Sequence, residues 1–227
     1  MKLIGLIGGT SWPSTIEYYR LLNQMVAEKS GGYHSASLLL RSIDYHTIKS
    51  RYQGGWKEIP ALLEQEIRFM QKTPCECLIL CNNTLHKAYD ALEPQLQMQI
   101  PFFHAAKLTA EYAVQNGLKR LLLLGTQFTM EDGFFKDRLV SRGLEVTIPS
   151  LEERIHIQSV QSKLAGGEKK PEFTDYLHTL LAKYTHLDAV VLACTELPLA
   201  INEKTTRLRI INPIWLQCRA AVDFAME

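Results

Sequence analysis

The sequence has no hydrophobic run long enough to cross a membrane. Its apolar stretches fall short of the ~18 residues that would indicate a transmembrane helix. The amino-terminal stretch MKLIGLIGG is short, is interrupted by Gly5 and Gly8, and precedes no small-residue cleavage site. It therefore predicts a buried first strand and not a signal peptide. These absences favour a cytoplasmic protein.

The sequence also has almost no net charge and no run of basic residues. It contains 25 Lys and Arg residues against 24 Asp and Glu residues, which leaves a net charge of +1. A chain without a cluster rich in Lys and Arg gives no sign of binding nucleic acid or an anionic membrane. The expected partner is therefore a small molecule.

The cysteine pattern indicates neither a disulfide framework nor a zinc site. The five cysteines are an odd number with irregular spacing, which predicts free thiols in a reducing compartment. Cys75, Cys77 and Cys81 lack the paired spacing of zinc ligands, so we expect them to belong to a strand core. The amino-terminal glycines do not form G-x-G-x-x-G, which counts against a nicotinamide cofactor.

Short apolar runs alternate with longer amphipathic stretches along the chain. This pattern is typical of a largely parallel sheet covered by helices, and consecutive apolar positions indicate strands that are buried on both faces. The predicted strands are Leu3–Ile7, Ala36–Ile43, Cys77–Cys81, Arg120–Leu124, Leu144–Ile148 and Ala189–Cys194, with weaker candidates at Phe102–Phe103 and Leu208–Ile211.

Several helix boundaries can be predicted from local signals. Ser14 and Glu17 have the spacing of a capping box, and they predict a helix that extends to about Lys29. A second helix is expected from about Lys57 to Lys72, because a residue before Pro74 is restricted. The remaining predicted helices are Thr84–Glu93, Ala105–Asn116, Met130–Ser141, Leu151–Lys163, Glu172–Lys183 and Ile214–Met226.

The chain contains a weak internal repeat. An apolar strand that ends in Gly-Thr occurs at 4–10 and again at 121–126, and a second similar pair occurs at 78–84 and 190–196. Thr10 and Cys81 are 71 positions apart, and Thr126 and Cys194 are 68 apart. Two pseudo-symmetric α/β units are therefore expected, with a ligand beyond the carboxyl ends of their strands.

Cys194 is a candidate nucleophile or acid/base group. It follows a strand and precedes Thr195, Glu196 and a helix start near Pro198, where backbone amides and a helix dipole can lower a thiol pKa and bind a carboxylate. The alternative is that Cys194 is a small core residue, as many free cysteines are.

Four motifs make the chain resemble the aspartate/glutamate racemase family. GLIGGTSW at 5–12 is similar to the amino-terminal signature, CNNTLH at 81–86 to the first active-site motif and ACTE at 193–196 to the second. GT at 125–126 also matches, and the similarity covers essentially the whole chain. The resemblance implies two Rossmann-like lobes with the active site in the interlobe cleft, without pyridoxal phosphate or metal.

The resemblance implies roles for the residues of these motifs. Racemisation needs an acid/base group on each side of Cα, and the family usually uses two cysteines. Cys194 would be one of them, while Asn83, Thr84 and Thr195 would hold the α-carboxylate of the substrate as negative charge moves onto it. The other implied substrate-binding residues are Thr10, Ser11 and Glu196, and His86 would orient the first motif.

The first motif departs from the family pattern. Aligned on Asn83, Thr84 and His86, the position of the first catalytic cysteine is occupied by Asn82. Cys81 is adjacent, but strand alternation turns it toward the opposite face unless the alternation fails at the strand end. Both residues stay candidates, and symmetric racemisation by two thiols is in doubt.

Four polar residues follow the second predicted strand, where the family recognises the distal group of its substrate. They are Arg41, Asp44, His46 and Arg51. Arg51 is the expected partner of a distal carboxylate, and Lys169 lies in a loop-like stretch where some relatives place a cationic lid residue.

The sequence thus predicts a first α/β lobe of residues 1–100 plus 212–227 and a second of residues 101–211. The leading hypothesis is a cofactor-independent racemase of aspartate or glutamate, working as a cytoplasmic homodimer. The alternatives are a related isomerase or decarboxylase of a small carboxylate, and a catalytically impaired amino-acid-binding protein.

Overall fold

The structure of the protein is a computed structural model that describes residues 1–52 and 54–227. Its strands are β1 (Ile4–Gly8), β2 (Leu38–Ser42), β3 (Cys77–Leu80), β4 (Arg120–Gly125), β5 (Glu145–Thr147), β6 (Ala189–Ala193) and β7 (Arg209–Ile211). The helices of the first half are α1 (Trp12–Ser30), α2 (Tyr45–Lys49), α3 (Ile59–Gln71), α4 (His86–Leu96) and α5 (Ala105–Gln115). Those that follow are α6 (Gln127–Glu131), α7 (Phe134–Val140), α8 (Leu151–Ala165), α9 (Pro171–Ala182) and α10 (Pro213–Met226).

The chain divides into two compact units. The first unit comprises Met1–Ala105 and Ile214–Glu227, and the second comprises Ala106–Pro213. Most of α10 therefore belongs to the first unit, although it lies at the far end of the chain. Its apolar side chains pack on β1 and α1, where Ile4 and Leu6 are fully buried.

The first unit contains a three-stranded parallel sheet with the order β2-β1-β3. Every residue of β1 and β3 is buried, because helices cover both faces of the sheet. One face packs against α1 and α10, and the other packs against α3 and α4.

The second unit contains a four-stranded parallel sheet with the order β5-β4-β6-β7. Its core lies between β4, β6 and the helices α8 and α9. The first three strands of this sheet along the chain are β4, β5 and β6. In the sheet, β4 lies between β5 and β6, just as β1 lies between β2 and β3 in the first unit. The predicted α/β class with two largely parallel sheets is confirmed, and the internal repeat is a repeat of topology.

The registers of the two sheets align the repeat residue by residue. Each central strand ends in a glycine, and Gly125 pairs with Ala193. The paired register of β1 and β3 stops one residue before Gly8, and its continuation places Cys81 beside that glycine. Cys81 therefore corresponds to Ala193 in the second unit.

The predicted start of the first helix was wrong. No capping box forms at Ser14 and Glu17, because α1 already begins at Trp12 and Ser14 is buried inside its first turns. The chain can start the helix early because Ser11 adopts a left-handed conformation with φ of 70°. A capping box does form at Ser150 and Glu153, where α8 begins.

Two other predicted elements differ from the structure. The helix predicted over 130–141 is two helices, because the backbone at Gly133 has φ of 97° and ends the helical path between α6 and α7. The weak strand at Phe102–Phe103 is an isolated bridge between Phe102 and Leu78. None of the helices described in 1–52 and 54–227 is long and apolar enough to cross a membrane.

Candidate active site

The loop after β1 places the polar side chain of Thr10 at the carboxyl end of the first sheet. Gly9 has φ of +81°, and a Cβ atom there would lie 2.2 Å from the carbonyl oxygen of Ile43, so the turn requires glycine. Thr10 is completely buried, and its hydroxyl oxygen has no hydrogen-bond partner among the residues that the structure describes. A buried polar atom of this kind is costly unless something else bonds to it.

Asn82 is held at the end of the neighbouring strand β3. Its Oδ1 accepts the backbone N–H of Leu85 at 2.9 Å, and its Nδ2 donates to the carbonyl oxygen of Thr10 at 3.3 Å. Since Cys81 corresponds to Ala193, Asn82 corresponds to Cys194 in the second unit. The amide at this position therefore caps a turn and joins the two loops.

Asn83 and Thr84 follow directly. The Oδ1 atom of Asn83 is buried and finds no hydrogen-bond partner within residues 1–52 and 54–227. Thr84 is buried and its side chain is hydrogen-bonded to the hydroxyl of Tyr52, which lies 3.2 Å from the hydroxyl of Tyr45. Burial, together with Tyr45, raises the pKa of Tyr52. Of these two side chains, that of Thr84 is hydrogen-bonded, and that of Asn83 has a buried oxygen without a partner in the described residues.

His86 is the first residue of α4 and has a determined tautomer. Its Nε2 lies 3.2 Å from the backbone N–H of Ala105, which can only donate, so Nε2 accepts. The proton is then on Nδ1, which donates to the carbonyl oxygen of Asn82 at 2.9 Å. Burial, with a smaller effect of His104, lowers the pKa of His86 to about 3. His86 is therefore a neutral orienting group.

His86 is itself held by α10. Gln217 directs its Nε2 toward Nε2 of His86 at 3.4 Å and donates to the carbonyl oxygen of Phe103 at 2.7 Å. The hydroxyl of Tyr18 donates to Oε1 of Gln217 at 2.5 Å. This buried network connects α1, α4 and α10 to the first motif.

Cys81 lies away from these polar groups. It is completely buried in the cluster of apolar side chains that contains Cys77 and Cys218, on the face of the sheet covered by α1 and α10. Burial raises its pKa. Cys75 belongs to the cluster on the opposite face. In the described parts of the chain, no three His, Cys, Asp or Glu side chains are arranged to hold a metal ion.

The second unit presents its own strand-end motifs. Thr126 caps α6, since its hydroxyl accepts the backbone N–H of Thr129 at 3.1 Å. Gly125 packs closely: a Cβ atom there would lie 3.1 Å from the carbonyl oxygen of Ala193 and from Thr129. The small residue keeps the ends of β4 and β6 together.

Cys194 and Glu196 form a buried pair after β6. The thiol of Cys194 donates to Oε2 of Glu196 at 2.8 Å, and the two residues are 5% and 7% exposed. Burial, and then the charge and hydrogen bond of Glu196, raise the pKa of the Cys194 thiol. The backbone N–H groups of Glu196 and Leu197 act in the opposite direction. This thiol rests protonated beside a carboxylate that can accept its proton.

Two cations, Arg51 and Lys169, are expected to recognise a distal carboxylate, and their surroundings differ. Nε of Arg51 is paired with Oε2 of Glu58 at 2.7 Å, and its Nη1 donates to the carbonyl oxygen of Thr47. Lys169 is exposed in the segment between α8 and α9, next to the ion pair of Lys170 and Glu168.

The other polar residues predicted at this place have structural partners, and Arg41 lies within β2 and not after it. Arg41 forms an ion pair with Glu66 at 2.7 Å and lies over the ring of Phe69. Asp44 accepts the backbone N–H of His46 and begins the short helix α2.

Sequence reasoning missed two side chains that touch the motifs. Gln217 reaches His86 from α10, and Gln161 donates from α8 to Oε2 of Glu196 at 3.2 Å. No local pattern identifies either glutamine, because each contacts a residue far away in the sequence.

The chain is similar to proteins of one known family. The family model described as Asp/Glu/Hydantoin racemase matches residues 7–221. A glutamate racemase of Limosilactobacillus reuteri is 24% identical over 168 residues, which are 71% of this chain and 58% of that protein. The chain thus spans somewhat more than half the length of this curated relative.

Two solved structures match the full length of the chain. A candidate Asp/Glu racemase from Yersinia pestis is 33% identical, with a TM-score of 0.91 and complete coverage of both chains. An aspartate racemase homologue from Pyrococcus horikoshii OT3 is 28% identical, with a TM-score of 0.89 and the same coverage. Together with the family model over 7–221, these matches show that the chain belongs to the Asp/Glu/Hydantoin racemase family.

Proposed function

We propose that the protein is a cofactor-independent amino-acid racemase that exchanges the α-proton of aspartate or glutamate. The observation that carries this proposal is the buried Cys194–Glu196 pair, with the thiol 2.8 Å from the carboxylate oxygen. Family membership and the named relatives support the reaction class. A thiol with a built-in proton acceptor is what deprotonation at Cα requires near neutral pH.

Cys194 is the acid/base group in this proposal. Glu196 takes the thiol proton, and the resulting thiolate, which faces the backbone N–H groups of Glu196 and Leu197, removes the proton from Cα. The electron pair of the broken C–H bond moves into the α-carboxylate. Return of a proton to Cα completes the exchange, on the same face or on the opposite one.

The polar atoms of the first motif bind the amino acid. The unpaired Oδ1 of Asn83 suits the substrate ammonium, and the unpaired hydroxyl of Thr10 suits either its ammonium or its carboxylate. Thr84 and Thr195 remain the residues expected around the α-carboxylate, and Ser11 is a further expected contact of the substrate. Bound substrate would thereby satisfy buried atoms that are costly to leave unpaired.

Arg51 and Lys169 are the proposed partners of the distal carboxylate. The guanidinium of Arg51 already pairs with the carboxylate of Glu58. It would exchange this partner for the distal carboxylate of the substrate. Lys169 is exposed and carries the second positive charge. An acidic amino acid is therefore preferred over a neutral one.

One observation favours a second candidate function. Asn82 stands where a second thiol would be needed, and both ends of its amide are used in hydrogen bonds. One-sided proton transfer, as in a related isomerase or decarboxylase of a small carboxylate, or amino-acid binding without turnover, is compatible with a single thiol.

We further propose a homodimer in the cytoplasm. The dimer is what the family resemblance implies. The location is supported by the five cysteines, which are all free thiols in the structure.

The test is proton–deuterium exchange at Cα, followed by NMR in D₂O. Wild-type protein is given both enantiomers of aspartate and glutamate, with alanine as the neutral comparison and Cys194→Ala as the control protein. Exchange of an acidic amino acid with inversion supports the racemase, and exchange without inversion supports the one-sided alternative. Thermal stabilisation by an amino acid without any exchange would leave only the binding function.

A further inference from the structure

A chain of amide groups leads from α6 to the carboxylate of Glu196. The backbone N–H of Gln127, at the start of α6, donates to Oε1 of Gln158 at 2.8 Å. Nε2 of Gln158 donates to Oε1 of Gln161 at 2.9 Å, and Nε2 of Gln161 donates to Oε2 of Glu196 at 3.2 Å. We call these two side chains, Gln158 and Gln161, the glutamine relay.

The direction of the relay is determined by its first member. A backbone N–H can only donate, so Gln158 must present its oxygen to Gln127 and its NH₂ group to Gln161. Gln161 then presents its oxygen to Gln158, which leaves its NH₂ group for Glu196. The carboxylate therefore receives a donor from α8, and not a second acceptor.

The same carboxylate oxygen receives the thiol. Oε2 of Glu196 accepts both from Gln161 at 3.2 Å and from Cys194 at 2.8 Å. A carboxylate that accepts an N–H bond is stabilised as the anion, and it has less freedom to turn. The relay thus acts on Cys194 through Glu196 without touching the thiol.

The helices that carry the relay are held together. Arg154 of α8 forms an ion pair with Glu131 of α6 at 2.8 Å, which joins the two helices. Within α8, Nε2 of Gln158 also donates to the hydroxyl of Ser162 at 3.0 Å. Gln158 and Gln161 lie three residues apart and so occupy the same face of α8. The amide geometry is therefore built into the helix packing.

We propose that Gln161, oriented by Gln158, is a positioning residue that holds Glu196 against the thiol of Cys194. This inference rests on the proposed function for its effect on turnover, but its effect on the thiol does not depend on any reaction. Loss of the Gln161 donor frees the carboxylate of Glu196 to turn, which weakens the S–H···O contact. The weaker contact raises the thiolate fraction of Cys194 and removes its ordered proton acceptor.

The experiment measures alkylation of each cysteine by iodoacetamide, with peptide mass spectrometry to resolve the five sites. Gln161→Met keeps the approximate size of the side chain and removes the donor, and Gln115→Met, at an exposed glutamine of α5, is the matched control. We expect Cys194 to react about tenfold faster in Gln161→Met, in line with the loss of a hydrogen bond to a charged group. Gln115→Met should react as wild type does.

Three further results would each decide the matter. In a Glu196→Gln background the Gln161→Met change should have no additional effect, because the group through which it acts is gone. Gln158→Met leaves Gln161 in place but frees the amide of Gln161 to turn. This variant should also raise the alkylation rate of Cys194, but by less than Gln161→Met does. An unchanged alkylation rate of Cys194 in Gln161→Met, or equal increases at Cys81 and Cys218, would show that Gln161 has only a structural role.

The Cα exchange measurement separates this inference from the proposed function. For Gln161→Met we expect kcat for exchange to fall about tenfold with little change in KM, opposite in sign to the alkylation rate. Faster alkylation in a protein whose wild type exchanges no α-proton would support the relay and reject the racemase. If wild type exchanges the α-proton but Gln161→Met leaves the alkylation rate of Cys194 unchanged, the racemase is supported and the relay is rejected.

Discussion

At the scale of single residues, two thiols at the ends of equivalent strands have different surroundings. Cys81 is packed among apolar side chains, and burial is the cause that raises its pKa. Cys194 is equally buried but contacts a carboxylate and two backbone N–H groups. Of these two thiols, only that of Cys194 contacts a carboxylate within residues 1–52 and 54–227, and this contact supports its proposed role as the acid/base group.

The first prediction compares these two thiols. Cys194→Ala should lower the rate of Cα exchange by about 10²–10⁴-fold, the usual contribution of a general acid or base. Cys81→Ala should change exchange much less, although it leaves a small cavity that costs about 1 kcal/mol of stability. Exchange is measured by NMR and stability by urea unfolding. Survival of exchange in Cys194→Ala, with loss in Cys81→Ala, would reverse the assignment.

The second prediction concerns Asn82. Asn82→Cys restores a thiol at the position equivalent to Cys194 and should raise exchange of the enantiomer that wild type handles poorly. The same change removes the acceptor for the N–H of Leu85, so it should cost about 1 kcal/mol of unfolding free energy. Asn82→Ala is the control, because it carries the same loss without the thiol. Equal exchange in the two variants would argue against a catalytic position there.

At the scale of elements, the beginnings of the helices show what local sequence can predict. Ser14 and Glu17 have the right spacing for a capping box, yet α1 begins before them. Ser150 and Glu153 form both reciprocal hydrogen bonds at the start of α8. Burial raises the pKa of Glu153, but the hydrogen bonds that its carboxylate accepts from Lys183 and Tyr184 outweigh this effect and lower the pKa to about 2.

The third prediction distinguishes these two sites. Ser150→Ala should lower the free energy of unfolding by about 1 kcal/mol, because the N–H of Glu153 loses its cap. Glu17→Gln should change it by less than about 0.5 kcal/mol, since the ion pair of Glu17 with Arg20 is solvent-exposed. Urea unfolding of the two variants measures the difference. The prediction fails if Glu17→Gln costs as much as Ser150→Ala.

At the scale of the whole molecule, the two ends of the chain meet in the first unit. Tyr18 lies near the amino terminus and Gln217 near the carboxyl terminus, and both connect to His86. The first motif therefore depends on residues that are about 200 positions apart. Formation of this unit therefore requires both the amino-terminal and the carboxyl-terminal segment of the chain.

The fourth prediction is a pH dependence of stability. The pKa of His86 is lowered to about 3 in the folded state, against an ordinary value of about 6.5. Below about pH 6.5 the unfolded chain therefore binds a proton that the folded chain does not. The stabilisation is fully present above this pH and is lost as the pH falls, by about one kcal/mol per pH unit.

The measurement compares urea unfolding of wild type and His86→Gln between about pH 6.5 and 4.5. This window lies below the pKa of the unfolded chain and above that of folded His86. The variant should be less stable overall and should lose stability less steeply as the pH falls. If the variant does not fold, NMR of wild type gives the answer, because the His86 ring should not titrate in this range. Parallel slopes, or a titrating ring, would contradict a buried neutral His86.

The sequence by itself determined the class of fold and the position of the motifs. Short and fully apolar runs such as 121–124 favour buried strands, and Gly9 and Gly125 mark strand ends where the backbone turns or packs closely. The resemblance to the family motif put Asn82 at the position of a catalytic cysteine, and the strand registers likewise make Asn82 the counterpart of Cys194. These features are local, so the order of residues is enough to predict them.

The tertiary structure alone decided which groups surround the motifs. The pairing of Cys194 with Glu196 could be suspected from the sequence, but its supports, Gln161 on α8 and Gln217 on α10, could not. The sequence similarly predicts Arg51 as the partner of a distal carboxylate, but only the structure shows that Glu58 pairs with it. Hydrogen bonds of this kind join residues on separate elements, so they depend on how helices pack on the sheets and leave no periodic signal along the chain.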